Sequence, residues 1–344
     1  MRAWPGVTAF LVTVALGPVA SGQSAGTVED DPCAIPGLRT DERPDAAGPP
    51  TEVSVGIRMV DLTDIDDVKQ ALTGDFAVFL SWTDPRLAGL KGCEIALGDI
   101  WNPELRFVNS GRLFLSRPEE ADIGEGGLVQ YVQRYYGSLA TYHNLREFPF
   151  DEQIFVLTLF SLEYGEKEVQ LVVNEKATGV RDLLNISDWT VTSVEGGTRR
   201  RYIEATDRFA SMYDLKISAN RQRHFYVWKI IVPLSLIVFM SWTVFWVNPA
   251  QFGPQIGLSA TSMLTLIAFQ FATTSMVPAL GYFTTLDEFI TGSTIVVFTA
   301  LCQSLTTSYL VSQDKEKLAL RIDRVSRFVF PLCFAALLLA VFFR

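Results

Sequence analysis

Hydrophobic residues follow two different patterns, which divide the chain into two parts. From Thr51 to about Gln222, short β-branched or aromatic runs such as FAVFLSW and QIFVLTLFSL alternate with Gly, Asp, Asn or Pro. Such runs predict β-strands, and about ten of them occur without a long helical pattern between them. This region therefore predicts an all-β, immunoglobulin-like sandwich.

Four long apolar segments follow the predicted sandwich. They cover residues 225–247, 254–277, 289–311 and 328–343, and the fourth is short. A helix of ~20 apolar residues is long enough to cross the hydrocarbon core of a bilayer. The pattern predicts a transmembrane four-helix bundle over residues 223–344.

The first 50 residues have a different composition. Residues 1–22 combine Arg2, the apolar run AFLVTVAL and the small residues Ala20-Ser21-Gly22, which is typical of a cleaved signal peptide. Residues 23–50 are rich in Gly, Pro, Asp and Ala and predict a flexible leader. Cleavage would place residues 51–222 outside the cytoplasm. The excess of Lys and Arg after the third apolar segment agrees with that orientation.

The second apolar segment carries no charge but many hydroxyl groups. At helical spacing, one face is small or polar at its start, apolar in the middle and polar at its end. This face contains Gly257, Thr261, Leu264, Ala268, Phe271 and Ser275. Helices that turn such faces toward a common axis would form a water-filled pore with a hydrophobic constriction, which gates by dewetting. Packing of small residues between helices is the alternative interpretation.

Composition and motifs exclude several classes of function. The net charge of −9 and the pI of about 4.9 argue against nucleic-acid binding. The sequence has no CxxC, HExxH, P-loop, GxGxxG or GxSxG motif. We therefore expect no metal, no cofactor and no enzyme active site. Cys33 and Cys93 lie in the outer part, where either a disulfide or two free thiols are compatible with the sequence.

Local motifs connect the two parts of the chain to one known family. Four motifs occur in the family's order: Trp82-Thr83-Asp84-Pro85-Arg86-Leu87 (WxDxRL), Trp101-Asn102-Pro103-Glu104 before Phe107-Val108-Asn109 (WxPD), Phe148-Pro149-Phe150-Asp151 (FPxD), and Pro233 before Ser241-Trp242-Thr243-Val244-Phe245-Trp246. Over residues 51–343 the chain resembles the pentameric ligand-gated ion channels, the Cys-loop receptor superfamily.

Two departures from the superfamily pattern resemble its prokaryotic branch. Thr141 and Phe155 occupy the positions of the two cysteines that give the superfamily its name, and the loop between the third and fourth segments is minimal. The resemblance implies a bacterial protein that crosses the inner membrane several times, with its N-terminal domain in the periplasm.

The resemblance also implies a mechanism. Five identical chains in the lipid bilayer would surround a pore lined by the second segment, with Leu264 and Phe271 as the gate. A small-molecule agonist, or protons, would open the pore to monovalent ions. A non-conducting, membrane-anchored periplasmic sensor or binding protein is the alternative function.

Further site residues are carried over from the family. The candidate agonist-site residues are Phe79, Phe107, Leu162, Tyr202 and Phe209. The candidate residues for coupling the two domains are Asp67, Phe148, Pro149, Asp151, Arg221, Arg223 and Pro278. The second segment lacks the acidic residue of cation-selective relatives, and Gln255 replaces the basic residue of anion-selective ones. We expect weak or anion-leaning selectivity.

Overall fold

The computed structural model describes residues 33, 42–181, 184–273 and 280–343. Residues 51–221 form a β-sandwich, as the strand pattern predicts. Its strands are β1 (Thr51–Asp66), β2 (Ala71–Thr83), β3 (Glu94–Ala96), β4 (Leu105–Phe107), β5 (Ser110–Leu115), β6 (Glu120–Ile123), β7 (Leu128–Ala140), β8 (Glu152–Ser161), β9 (Val169–Val173), β10 (Gly179–Val180), β11 (Trp189–Ile203) and β12 (Arg208–Arg221).

The strands form two sheets. One contains eight strands in the order β10-β1-β2-β7-β6-β3, with β5 paired to β7 and β9 paired to β1. The other contains four strands in the order β11-β12-β8-β4. The sequence predicts about ten strands and the described residues form twelve. The short strands β3, β6 and β10 were not predicted, and β11 is a single strand where the sequence has two separate runs. Strands as short as β3, β6 and β10 give no alternating pattern.

The first two motifs fix the core and one turn of the sandwich. Trp82 and Trp101 are 2% and 1% exposed, and their rings meet edge to face at 6.0 Å. The buried Asp84 carboxylate accepts hydrogen bonds from the Arg86 backbone N–H at 3.0 Å and from its guanidinium at 2.7 Å. These residues therefore act through packing and turn geometry.

Parts of the predicted leader are attached to the sandwich. Cys33 forms a disulfide with Cys93, which decides between the two alternatives that the sequence leaves open. The Arg43 guanidinium is buried among residues 46–49, where it donates to the carbonyls of Pro49 at 2.7 Å and Gly48 at 2.8 Å. Residues 42–50 thus form a turn that leads directly into β1.

Four helices are long and apolar enough to cross a membrane: α1 (His224–Trp246), α2 (Phe252–Thr273), α3 (Thr285–Ser312) and α4 (Glu316–Phe342). The fourth is not short, because its first three turns are built from the polar residues that precede the apolar segment. A capping box between Thr284 and Asp287 starts α3. Ser275 and Pro278 lie outside the described residues.

Proline is accommodated in α1 by a local change of helix type. A π-helical turn, Val227–Ile231, precedes Pro233, which stands near the start of the following α-helical stretch, Val232–Trp242. Proline has no N–H to donate and its ring crowds the preceding turn. A π-helical turn at this point widens the backbone before the proline.

Removal of the disulfide should destabilise the outer domain. The double variant Cys33→Ser, Cys93→Ser should lower the apparent midpoint of thermal unfolding by about 5 °C or more, because disulfides that close long loops typically contribute ~2–4 kcal/mol. The measurement is thermal unfolding of the purified protein in detergent. The exposed free thiols Cys302 and Cys333 provide the control, since their replacement by alanine should leave the midpoint unchanged. Equal midpoints for both double variants would contradict the prediction.

Candidate functional site

Arg221, the last residue of β12, lies where the sandwich meets the helices. Its guanidinium bonds Asp67 through Nη1 at 2.7 Å and Nη2 at 3.0 Å. It also bonds Asp151 through Nε at 2.7 Å and Nη2 at 3.1 Å. The side chains of Arg221 and Asp151 are each 2% exposed and that of Asp67 is 13% exposed. One cation thus joins the turn after β1, the FPxD loop and the start of α1. Arg223 is exposed and does not share this position.

Hydrogen bonds within this cluster stabilise the ionised forms of Asp67 and Arg221. Burial alone would raise the pKa of Asp67, but hydrogen bonds from His143 and Arg221 outweigh burial and hold this pKa below its ordinary value. Burial likewise opposes the charge on Arg221, yet its hydrogen bonds to Asp151 and Asp67 raise its pKa above the ordinary value. Asp67 and Arg221 are therefore an ionised pair throughout the physiological pH range.

Aromatic rings enclose the guanidinium on two sides. Its carbon lies 4.1 Å from the Trp189 ring centroid and 4.8 Å from that of Phe148. Arginine suits such a site because its planar cation is weakly hydrated and stacks on aromatic faces. Phe148 precedes Pro149 through a cis peptide bond, and its ring packs on Tyr226 of α1 at 4.8 Å. Phe148 belongs to the buried core of the helices.

The FPxD loop is also hydrogen-bonded to the segment that leads into α3. The Leu145 N–H donates to the Tyr282 hydroxyl at 3.0 Å. The backbone N–H groups of Thr285 and Leu286 donate to the carbonyls of Arg146 at 2.9 Å and Phe148 at 3.2 Å. The loop that the sequence assigns to coupling therefore contacts both α1 and α3.

His143 is a member of this cluster that the sequence analysis did not single out. Its Nδ1 lies 3.0 Å from Asp67 Oδ1, its Nε2 lies 2.8 Å from Thr141 Oγ1, and the side chain is fully buried. A signal was present, because the chain has only two histidines and this one follows Thr141 by two residues, inside the loop that carries the FPxD motif.

Helix α2 has one exposed and one buried face within the single chain. The predicted pore residues Gly257, Thr261, Leu264, Ala268 and Phe271 all lie on the exposed face, with Leu264 at 68% and Phe271 at 78% exposure. The buried face contains Gln255, Ser259, Ser262 and Leu266.

The buried face forms a polar seam with α3. Ser308 donates to Gln255 Oε1 at 2.8 Å, the Ser259 and Ser304 hydroxyls lie 2.8 Å apart, and Gln270 donates to Thr294 at 2.6 Å. Gln255 is fully buried in this seam. Gln255, which replaces the basic residue of anion-selective relatives, therefore stands on the opposite face of the helix from Leu264.

The candidate agonist residues fall into separate places. Tyr202 and Phe209 face each other on the β11–β12 hairpin with ring centroids 5.3 Å apart, and both are about half exposed. The Arg200 guanidinium lies 3.9 Å from the Phe209 ring centroid. Leu162 is exposed near the hairpin, since its carbonyl accepts from Arg208 at 2.5 Å.

Phe107 and Phe79 do not join these residues within one chain. Phe107 is 7% exposed and packs edge to face on Tyr135 inside the sandwich, so it is part of the core. Phe79 lies on β2, in the other sheet, beside Arg117 and Arg134. A contact of Phe79 with Tyr202 or Phe209 would have to come from a neighbouring chain.

Sequence comparison gives the family. Residues 36–225 match the neurotransmitter-gated ion-channel ligand binding domain, and residues 230–321 match the neurotransmitter-gated ion-channel transmembrane region. The chain belongs to the neurotransmitter-gated ion-channel family. It is a ligand-gated ion channel and not an enzyme. Its four membrane-crossing helices follow an outer N-terminal domain, as in the other channels of this pentameric family.

Three relatives show the range of this channel's similarity. It is 27% identical over 308 residues to a proton-gated ion channel of Gloeobacter violaceus, covering 87% of this chain and 85% of the relative. It is 25% identical to a gamma-aminobutyric acid receptor subunit beta-like of Drosophila melanogaster, over 78% of this chain and 58% of the relative. It is 23% identical to the gamma-aminobutyric acid receptor subunit rho-3 of Rattus norvegicus, over 83% of this chain and 64% of the relative.

The Asp67–Arg221 pair predicts a specific dependence of stability on pH. Because the folded-state pKa of Asp67 is lowered, its contribution is fully present above the unfolded value of about 3.9 and is lost as the pH falls through the folded value. The difference in unfolding midpoint between the channel and its Asp67→Asn variant should be constant between about pH 5 and 8 and should shrink below about pH 4. The measurement is thermal unfolding of both proteins across this pH range. A difference that disappears between about pH 5 and 7 would show that Asp67 titrates there.

Proposed function

We propose that five copies of this channel surround a pore lined by the exposed face of α2, formed by Gly257, Thr261, Leu264, Ala268, Phe271 and, beyond the described part of the helix, Ser275. The observation that carries the proposal is the exposure of Leu264 and Phe271. These two large apolar side chains stand on the face of α2 that its own bundle leaves uncovered. An inward position in a pentamer would give both side chains a function.

Leu264 and Phe271 form the gate in this proposal. They lie two helical turns apart on one face, and α2 contains no charged residue between Phe252 and Thr273. Apolar rings at a narrow point expel water and so block ions without a physical plug. A polar substitution at Leu264 should therefore hydrate the closed pore.

The gate predicts opposite results for two leucines on the same helix. Leu264→Thr should raise the open probability at rest by at least about tenfold, because water then wets the constriction. The measurement is unitary current from the purified channel in a planar lipid bilayer. Leu266→Thr is the matched control, since Leu266 is fully buried in the bundle and its substitution should lower stability without a leak. A leak from Leu266→Thr alone would reverse the assignment of the two faces.

Charge selectivity follows from the lack of charge along this face. Neither α2 nor residues 247–251 before it contain Asp, Glu, Lys or Arg, and Gln255 is turned into the bundle. A pore entrance without a charged ring attracts neither sign of ion strongly. We therefore propose weak or anion-leaning selectivity.

The reversal potential tests this selectivity. In a potassium chloride gradient, currents of the Leu264→Thr variant should reverse near zero or on the chloride side of zero. The recording should be repeated with sodium in place of potassium. The reversal potential should change little. Reversal close to the potassium equilibrium potential would contradict the proposal.

The trigger is a small-molecule agonist at the β11–β12 hairpin, or protons as in the Gloeobacter relative. The position of Tyr202, Phe209 and Leu162 on an exposed hairpin supports an agonist site between subunits, with Phe79 contributed by the neighbour. Arg200 already covers the Phe209 ring, so a cationic amine would have to displace it. A scan of pH and small ligands on the purified channel tests both triggers, and Arg200→Ala should alter only the response to a ligand.

The Arg221 cluster couples the trigger to the gate. Asp67, Asp151 and Phe148 reach Arg221 from two different loops, and the FPxD loop contacts both α1 and α3. A movement of the sandwich therefore has a rigid, buried connection to the helices. We further propose that the protein is bacterial, that residues 1–22 are a signal peptide that is cleaved, and that the channel lies in the inner membrane.

A further inference from the structure

His143 is held by a full set of contacts. Each ring nitrogen has one hydrogen-bonding partner, Asp67 at 3.0 Å and Thr141 at 2.8 Å. A carboxylate only accepts, so Nδ1–H donates to Asp67, while Nε2 shares a hydrogen bond with the Thr141 hydroxyl. The ring itself packs edge to face on Phe155, with centroids 5.1 Å apart.

These contacts join the two ends of the loop from Thr141 to Phe155. Thr141 and Phe155 are the positions at which the superfamily pattern has its cysteine pair, and this chain has cysteine at neither. His143 contacts both residues, one through a hydrogen bond and one through its ring. The loop is thus closed without a covalent bond.

The same histidine orients the turn after β1. Asp67 Oδ1 receives hydrogen bonds from both His143 Nδ1 and Arg221 Nη2, each at 3.0 Å. The Thr141 N–H donates to the Gln70 carbonyl at 2.9 Å, three residues farther along the turn. The turn is therefore attached to the loop at two points.

We propose that His143 is a positioning residue for gating: it closes the loop from Thr141 to Phe155 in place of a disulfide and holds Asp67 in the geometry that pairs with Arg221. The proposal rests on the coupling function proposed for the Arg221 cluster. Without the ring, Asp67 keeps Arg221 as a partner but loses the second donor that fixes its rotamer, and the Thr141 hydroxyl is left buried without its hydrogen-bond partner.

The first experiment compares His143→Phe with His143→Asn. Phenylalanine keeps a ring against Phe155 but bonds neither Asp67 nor Thr141, whereas the asparagine amide can replace Nδ1 as a donor to Asp67. In the Leu264→Thr background, which needs no agonist, His143→Phe should lower the open probability by about tenfold and His143→Asn by less than about threefold. His224→Phe is the matched control, because His224 is exposed at the start of α1 and should have no effect.

A second readout does not depend on currents. Hydrogen–deuterium exchange of the backbone amides of residues 66–70 should be at least about tenfold faster in His143→Phe, and close to the unmodified channel in His143→Asn and His224→Phe. Unchanged exchange in a folded His143→Phe pentamer would overturn the proposal. If His143→Phe does not assemble, His143→Gln, which can reach Thr141 but not Asp67, replaces it in both measurements with the same expectations.

A double-mutant comparison separates this inference from the proposed coupling function. Asp67→Asn alone should reduce the open probability, and adding His143→Phe to it should reduce it by less than about twofold more, because the two changes break the same contact. If Asp67→Asn has no effect, the coupling proposal fails. If Asp67→Asn reduces opening and His143→Phe does not, only the function of His143 fails.

A cysteine pair tests loop closure by itself. Thr141→Cys with Phe155→Cys, oxidised in the His143→Phe background, should recover the unfolding midpoint of the channel but not its open probability. Recovery of both would show that His143 only closes the loop, and this would overturn its function in holding Asp67.

Discussion

One buried guanidinium determines how the two domains of this channel are joined. The chain passes from β12 into α1 within three residues of Arg221, so the position of this side chain sets the angle at which the sandwich meets the helices. Burial of a charge is costly, and a buried pair is stable only when both members are well bonded. Two carboxylates face one cation here, and Gln153 and His143 add further donors to these carboxylates. The loss of Arg221 would leave two largely buried carboxylates without their cation.

The hydroxyl groups of α2 are less available to water than their number implies. Thr261 and Thr265 donate to the carbonyls of Gly257 at 2.7 Å and Thr261 at 2.8 Å, one turn earlier in the same helix. Ser259 and Ser262 point into the bundle. The hydrophobic character of the exposed face therefore depends on Leu264 and Phe271, with the threonines contributing mostly acceptor capacity.

Much of the architecture could be predicted from periodicity and motifs. Long alternating strands such as β2 and long apolar segments have strong patterns, and the FPxD loop, Asp67 and Arg221 were assigned to coupling from the resemblance alone. Strands of two or three residues have no period to detect. The direction of Gln255 could not be predicted because polar residues occur on both faces of α2. His143 was missed because its function depends on Asp67, 76 residues earlier in the chain.

The polar seam between α2 and α3 limits the ways in which α2 can move. Rotation of α2 about its own axis would break the Gln255–Ser308, Ser259–Ser304 and Gln270–Thr294 hydrogen bonds, of which the first two are buried in the bundle. A tilt of α2 and α3 together keeps all three. In the proposed pentamer, each subunit should therefore move α2 and α3 together, as one rigid pair of helices.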